Sequence, residues 1–183
     1  MIRSFALVAA LLLASPAYAA PAAWKVDPAK SKIAFSGAGP QGPFTGSFGK
    51  WTADIKFSPK ELPASSALVS ITLDSAKVPD PTGTASLRED DWFKIKLFPT
   101  ATYKTSSIKS LGANKYEAEG ALTIRDKTVP TKLPFTLAIT GKTATMIATL
   151  TLDRTAFEVG KPIGDNVVSK MIKVDIAVTA TTP

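Results

Sequence analysis

Three consecutive stretches of the chain alternate inward apolar residues with mostly polar ones, and two-residue turns join them. Tyr116, Ala118, Gly120, Leu122 and Ile124 fall on one parity, with Glu117, Glu119, Thr123 and Arg125 on the other. Asp126-Lys127 turns the chain into Thr128–Thr140, where Leu133, Phe135, Leu137 and Ile139 share a face. Gly141-Lys142 turns it again into Thr143–Asp153, where Ala144, Met146, Ala148, Leu150 and Leu152 do the same. A two-residue repeat belongs to a strand with one face buried. Connections this short make the neighbours antiparallel.

The same period runs through the rest of the chain. Ser31–Gly37 turns Ile33 and Phe35 inward, Ser66–Asp74 alternates Ala67, Val69, Ile71 and Leu73, and Thr100–Ser110 alternates Ala101 and Tyr103. Phe44–Ser58 begins with Phe44, Gly46 and Phe48 on one face and continues with Trp51, Ala53, Ile55 and Phe57. Its parity flips between Phe48 and Trp51, which requires a bulge or bend near Gly49-Lys50. Asn166–Thr179 closes the series with Ile172, Val174, Ile176 and Val178, and Pro21–Ala23 reads as a frayed terminus. Regularly spaced strands of this kind make a sandwich or a barrel. Eight of them, each with one apolar face, suit closure into a barrel whose interior can hold one ligand.

One segment breaks the rhythm. Ser86-x-x-Glu89 fits a capping box, and Glu89, Asp90 and Asp91 would sit in the first turn of a short helix that Pro99 stops. Pro79, Pro81 and Gly83 before it read as a loop. Trp92, Phe93, Ile95, Leu97 and Phe98 are too apolar for water on so short a helix, so they must cover something.

Composition narrows the chemistry. The chain of 183 residues is one domain by length, and 45% hydrophobic residues supply a core. Met1-Ile2-Arg3, the apolar run Phe5–Ala14 and Ala17-Tyr18-Ala19 form a leader over residues 1–19, too short to span a bilayer, with cleavage expected before Ala20. The mature domain is then 20–183, exported and expected in the periplasm. Loss of Arg3 with the leader takes the net charge from +7 to +6. The lysines are scattered and no basic block with interleaved aromatics occurs, which argues against nucleic acid and leaves a weak attraction to anionic membrane surfaces.

There is no histidine and no cysteine. Ser-His-Asp and Cys-His catalysis are thereby removed, along with ordinary zinc, haem and copper sites, so no catalytic and no metal residue is assigned. Gly37-Ala-Gly-Pro-Gln-Gly42 matches a dinucleotide motif by letter only. Pro40 removes a donor and no helix follows, so the segment reads as a strand connection. Glu117 and Glu119 lie opposite the apolar face, where water solvates them. Gly46, Ala53, Ala118, Gly120, Ala144 and Ala148 put small side chains on the inward faces, which leans toward a hollow interior.

Asp91-Trp-Phe, Phe98-Pro99 and Gly120-x-Leu-Thr-Ile-Arg125 with Thr128-x-Pro130-x-x-Leu133-Pro134 resemble the YceI-like proteins. The resemblance covers nearly all the mature chain. It begins at Trp24-x-Val-Asp-Pro-x-x-Ser31-x-Ile33-x-Phe35, passes through Gly46-x-Phe48-x-x-Trp51, and ends in Arg154-x-x-Phe157-x-Val-Gly160 and Gly164-Asp165. Lys94, Asp126 and Glu158 depart from that family's usual residues, and the first long loop lacks the histidine many relatives carry. The resemblance implies an all-β fold, an eight-stranded antiparallel lipocalin-like barrel with the short helix between strands 3 and 4. It implies no catalytic motif, and a polyisoprenoid ligand such as a quinone or a polyprenyl phosphate.

On this reading the protein is a non-enzymatic carrier with no cofactor other than a bound isoprenoid lipid. The expected ligand-binding residues are Phe35, Phe48, Tyr103, Leu122, Phe135, Leu137, Met146 and Leu150, with Trp92 and Phe93 near a tunnel end. The Tyr103 hydroxyl could serve a headgroup, although a satisfied core tyrosine is the better account of it. The competing expectation is a solid-cored envelope module that binds a membrane redox partner.

Overall fold

The computed structural model describes residues 20–183; the leader and its cleavage site lie outside the described residues. Eleven strand segments make one sheet: β1 Ala22–Val26, β2 Lys32–Gly39, β3 Gly42–Phe48, β4 Trp51–Phe57, β5 Ser66–Thr72, β6 Ala76–Lys77, β7 Thr100–Gly112, β8 Lys115–Ile124, β9 Lys127–Thr140, β10 Thr143–Asp153 and β11 Met171–Thr181. Every pairing is antiparallel. At one end β1 pairs with both β4 and β11, so β4-β5-β7-β8-β9-β10-β11-β1 forms a closed ring of eight. At the other end β2 replaces β1 beside β11, and β3 pairs with β2 and β6. The fold is an all-β, eight-stranded antiparallel barrel in which two strands are broken midway.

Each break has a local cause. β1 stops at Asp27, whose side chain accepts a hydrogen bond from the Ala29 N–H at 3.0 Å and caps a 3₁₀ turn over Pro28–Lys30. Ser31 then rejoins the sheet, its hydroxyl accepting from the Thr179 N–H at 3.0 Å. The terminus read as frayed is therefore a strand with Trp24 buried in it. Its run was too short, before Asp27-Pro28, to show a period. β3 and β4 part at Gly49-Lys50, where Ser75 binds both backbones: Gly49 N–H to the Ser75 carbonyl at 3.2 Å and Lys50 N–H to the Ser75 hydroxyl at 3.0 Å. This is the bend that the parity flip requires.

The helix forms upstream of its expected position. α1 spans Pro81–Ser86, with Asp80 as N-cap accepting from the Gly83 N–H and Pro81 in the first turn. Asp-Pro is the stronger start signal because proline needs no donor there. Ser86 ends the helix instead of capping one, its hydroxyl donating to the Thr82 carbonyl. Residues 87–98 follow as linked turns, with Lys94 in the left-handed region. Leu87 and Phe93 are both buried, yet on a helix six residues would set them about 120° apart. The turns bring both to the core.

The ladder between β9 and β10 ends early. It pairs Thr140 with Thr143 through Phe135 with Ala148 and goes no further, although both strands continue. The Leu137 N–H donates to Asn114 on the β8 side, so the even-numbered positions of β9 face β10. The next of these are Pro134 and, beyond Lys132, Pro130, neither of which has an N–H to give. The wall opens there into a shallow cleft lined by Val129–Pro134 without Leu133, Thr149–Asp153, Ala156 and Phe157.

Candidate ligand-binding site

The barrel interior is hollow. A cavity of about 990 Å³ runs through it, at the top of the range for small-molecule sites. Its wall is apolar: Ile33, Ile55, Val69, Ile71, Ile108, Leu133, Ile172, Val174, Ile176 and Val178 face it, joined by the small residues Ala53, Ala67, Ala101, Ala118 and Ala144. All ten residues expected from the sequence, Phe35, Phe48, Trp92, Phe93, Tyr103, Leu122, Phe135, Leu137, Met146 and Leu150, line this one space.

Two of the inward glycines explain how a barrel rich in aromatics stays open. A β-carbon on Gly46 would stand 2.3 Å from the Phe35 ring, and one on Gly120 would stand 2.9 Å from the Tyr103 ring. Each ring therefore lies flat across the neighbouring strand instead of projecting into the lumen. The Tyr103 hydroxyl, 3.1 Å from the Ala118 carbonyl and 3.3 Å from the Thr131 carbonyl, is committed to the wall. It is a satisfied core tyrosine. Burial pushes its phenol up to about 12, with the carboxylates of Glu117 and Glu119 adding to the shift.

Those two glutamates sit on the outer surface, as their parity requires. Lys109 reaches Glu117 at 2.8 Å and Lys132 reaches Glu119 at 3.0 Å. Hydrogen bonding to Lys132 holds the Glu119 carboxyl below the usual range, and Glu117 raises Lys109.

The two ends of the cavity differ. At the end closed by β1, the Trp24 indole N–H donates to the Phe57 carbonyl at 3.0 Å, and Phe57 meets Tyr116 edge-on at 5.4 Å. Tyr116 stacks on Phe135, also at 5.4 Å. These rings form a floor. At the opposite end Phe35, Phe48 and Phe93 stand in sequence, with centroids 5.1 and 6.1 Å apart, and Leu87, Phe157 and Val159 pack with them. Trp92 fits against Gly160, where a β-carbon would meet its ring at 2.9 Å. These residues roof part of the barrel. The remaining opening lies between the β2–β3 hairpin, α1 and the link before β11, where the exposed residues Pro40, Gln41, Pro43, Asp80, Thr82 and Val167 line it.

Sequence reasoning gave no role to the two arginines that build this end. Arg154 is 4% exposed, and its guanidinium donates to the carbonyls of Ser169, Val159, Gly160, Ile163 and Val168 and to Asp165 at 3.3 Å. It thereby shapes the whole link from β10 to β11. Arg125, in the left-handed region, donates to the carbonyls of Trp92 at 3.2 Å and Glu158 at 2.6 Å and ties the roof to the wall. Both stand in the motifs quoted above, but only folding gives them partners.

The sequence matches the YceI-like domain over residues 24–180. The protein belongs to the YceI-like family. Among solved structures it is similar to Burkholderia cenocepacia BcnA, with 33% identity, 86% of this chain and 100% of that one covered, and a TM-score of 0.81. A YCEI protein of Campylobacter jejuni shares 22% identity over 75% of this chain and 84% of its own, with a TM-score of 0.70. A polyisoprenoid binding domain from Saccharophagus degradans, implicated in plant cell wall breakdown, shares 15% identity over 88% and 99% of the two chains, at 0.67. No curated protein sequence matches the chain.

Proposed function

We propose that this YceI-like protein is a non-catalytic periplasmic carrier for a long isoprenoid lipid, held in the barrel with its chain toward the Trp24 floor. The observation that carries the reading is the cavity of about 990 Å³ with an apolar wall. Its lining runs from Trp24 and Phe57 at the floor to Gln41 and Asp80 at the mouth, which suits a flexible hydrocarbon chain. The Saccharophagus domain, a polyisoprenoid binder of the same fold, supports the choice of ligand class. The ten lining residues expected from the sequence are the proposed contacts, and the leader supports export. A solid-cored module would need the interior filled, and it is not.

The driving force is burial. Each isoprene unit removes five carbons from water, at most about 4 kcal/mol before ordering costs. Affinity for a series of prenyl quinones should therefore climb with chain length and level off once the cavity is full. It should vary little with salt. Quenching of tryptophan fluorescence reports both. Affinity that is flat with length and falls with salt would replace this reading with a basic surface site. Mass spectrometry of a lipid extract identifies what the protein carries, and a quinone there would point to a membrane redox partner.

A further inference from the structure

We infer that the mouth admits isoprenoids whose polar end is an uncharged oxygen group, a hydroxyl or ring carbonyl, and discriminates against phosphates. The inference rests on the carrier reading above and concerns the headgroup end of the same cavity.

Among the described residues that line the cavity, the charged side chains are Asp80 and Arg154. Arg154 has nothing to offer an anion. Its Nε donates to Ser169, one terminal nitrogen to Val159 and Gly160, and the other to Ile163, Val168 and Asp165. A guanidinium has five N–H groups, so these acceptors use all of them. Binding a phosphate would strip buried carbonyls of their donor. Two of the N–H groups that start α1 are committed as well: that of Gly83 donates to the Asp80 carboxylate at 2.6 Å and that of Thr84 to the Asp80 carbonyl at 2.9 Å.

What the mouth presents instead is the exposed Asp80 carboxylate beside the neutral side chains of Gln41 and Thr82. A hydroxyl or a quinone carbonyl can bond to the Gln41 amide or the Thr82 hydroxyl, and carries no charge for Asp80 to repel. A phosphate, with about −1.5 to −2 charges, would face Asp80 across a partly desolvated opening with no cation in the lining. Asp80 is the charged side chain in the opening itself, whereas the lysines outside the lining act on a headgroup through water, where salt screens them over roughly 8 Å.

The test compares a prenyl alcohol with its own monophosphate, equal in chain length, in competition against a fluorescent prenyl probe. The alcohol should bind about tenfold tighter or more, with the ratio shrinking as salt rises. Asp80→Asn keeps the helix cap, since asparagine caps as well as aspartate. It should raise phosphate affinity severalfold and leave the alcohol unchanged. A phosphate that matches or exceeds the alcohol in the unmodified protein overturns the inference, as does an Asp80→Asn protein in which both ligands shift alike. If neither ligand displaces the probe, the carrier reading itself falls and takes this inference with it.

Discussion

The Tyr103 ring lies across Gly120, 2.9 Å from the point where a β-carbon would stand, and its hydroxyl reaches the carbonyls of Ala118 and Thr131 beyond it. One side chain thus spans the inner face of β8 and leaves the lumen clear. The same point on Gly120 is 2.5 Å from the Lys104 carbonyl, which cannot move aside as a side chain would. Gly120→Ala should therefore destabilise the barrel by about 1–3 kcal/mol, measured by denaturant unfolding. Gly49→Ala, whose nearest contact would be 3.7 Å, should have little effect and serves as the control.

The same tyrosine gives a pH signature. Its phenol titrates near 12 in the folded protein and near 10 when unfolded, so between those values the native state binds more protons. Its contribution to stability is full below about pH 10 and is lost as pH rises toward 12. The difference between the tyrosinate absorbance titrations of the unmodified protein and Tyr103→Phe should show a late group. A difference centred at 10 would mean the hydroxyl is solvated.

Arg154 organises the link before β11 from inside. Arg154→Lys should cost about 3–5 kcal/mol, because a three-donor ammonium cannot serve carbonyls arranged for a planar fork. The variant should also expose residues 158–168 to limited proteolysis. A stability within 1 kcal/mol of the parent would show that water replaces the guanidinium at little cost.

The gap between β9 and β10 should be visible by hydrogen exchange. The N–H groups of Thr149 and Thr151 face the segment of β9 where Pro134 and Pro130 end the ladder, and they should exchange faster than that of Ile147. Pro134→Ala restores the N–H that the Thr149 carbonyl lacks, which draws the two strands together, and should slow exchange of the Thr149 N–H, whose acceptor is the carbonyl of residue 134. Unchanged exchange in that variant would locate the cause in strand curvature instead.

The sequence by itself determined the wall. Alternation from Tyr116 to Leu152 assigned the inward residues, the two-residue turns made the strands antiparallel, and the parity flip located the Gly49-Lys50 bend. These are local signals, because a strand's period and a turn's length are set within a few residues. Eight aromatic and aliphatic positions on the strands could be assigned to one interior for the same reason, while Trp92 and Phe93 were assigned to its end because so apolar a short segment had to cover something. The interior's emptiness was decided elsewhere. Period tells which side a residue faces, and says nothing of the barrel's radius or of whether a ring projects or lies flat. Phe35 over Gly46 and Tyr103 over Gly120 are relations between strands. The rescue of Ala22–Val26 into the ring and the carbonyl cage of Arg154 likewise depend on residues beyond the local run, whereas the helix at Pro81–Ser86 follows from its own Asp80-Pro81 start. A buried guanidinium has no local pattern. Its partners exist only once the link from β10 to β11 has closed around it.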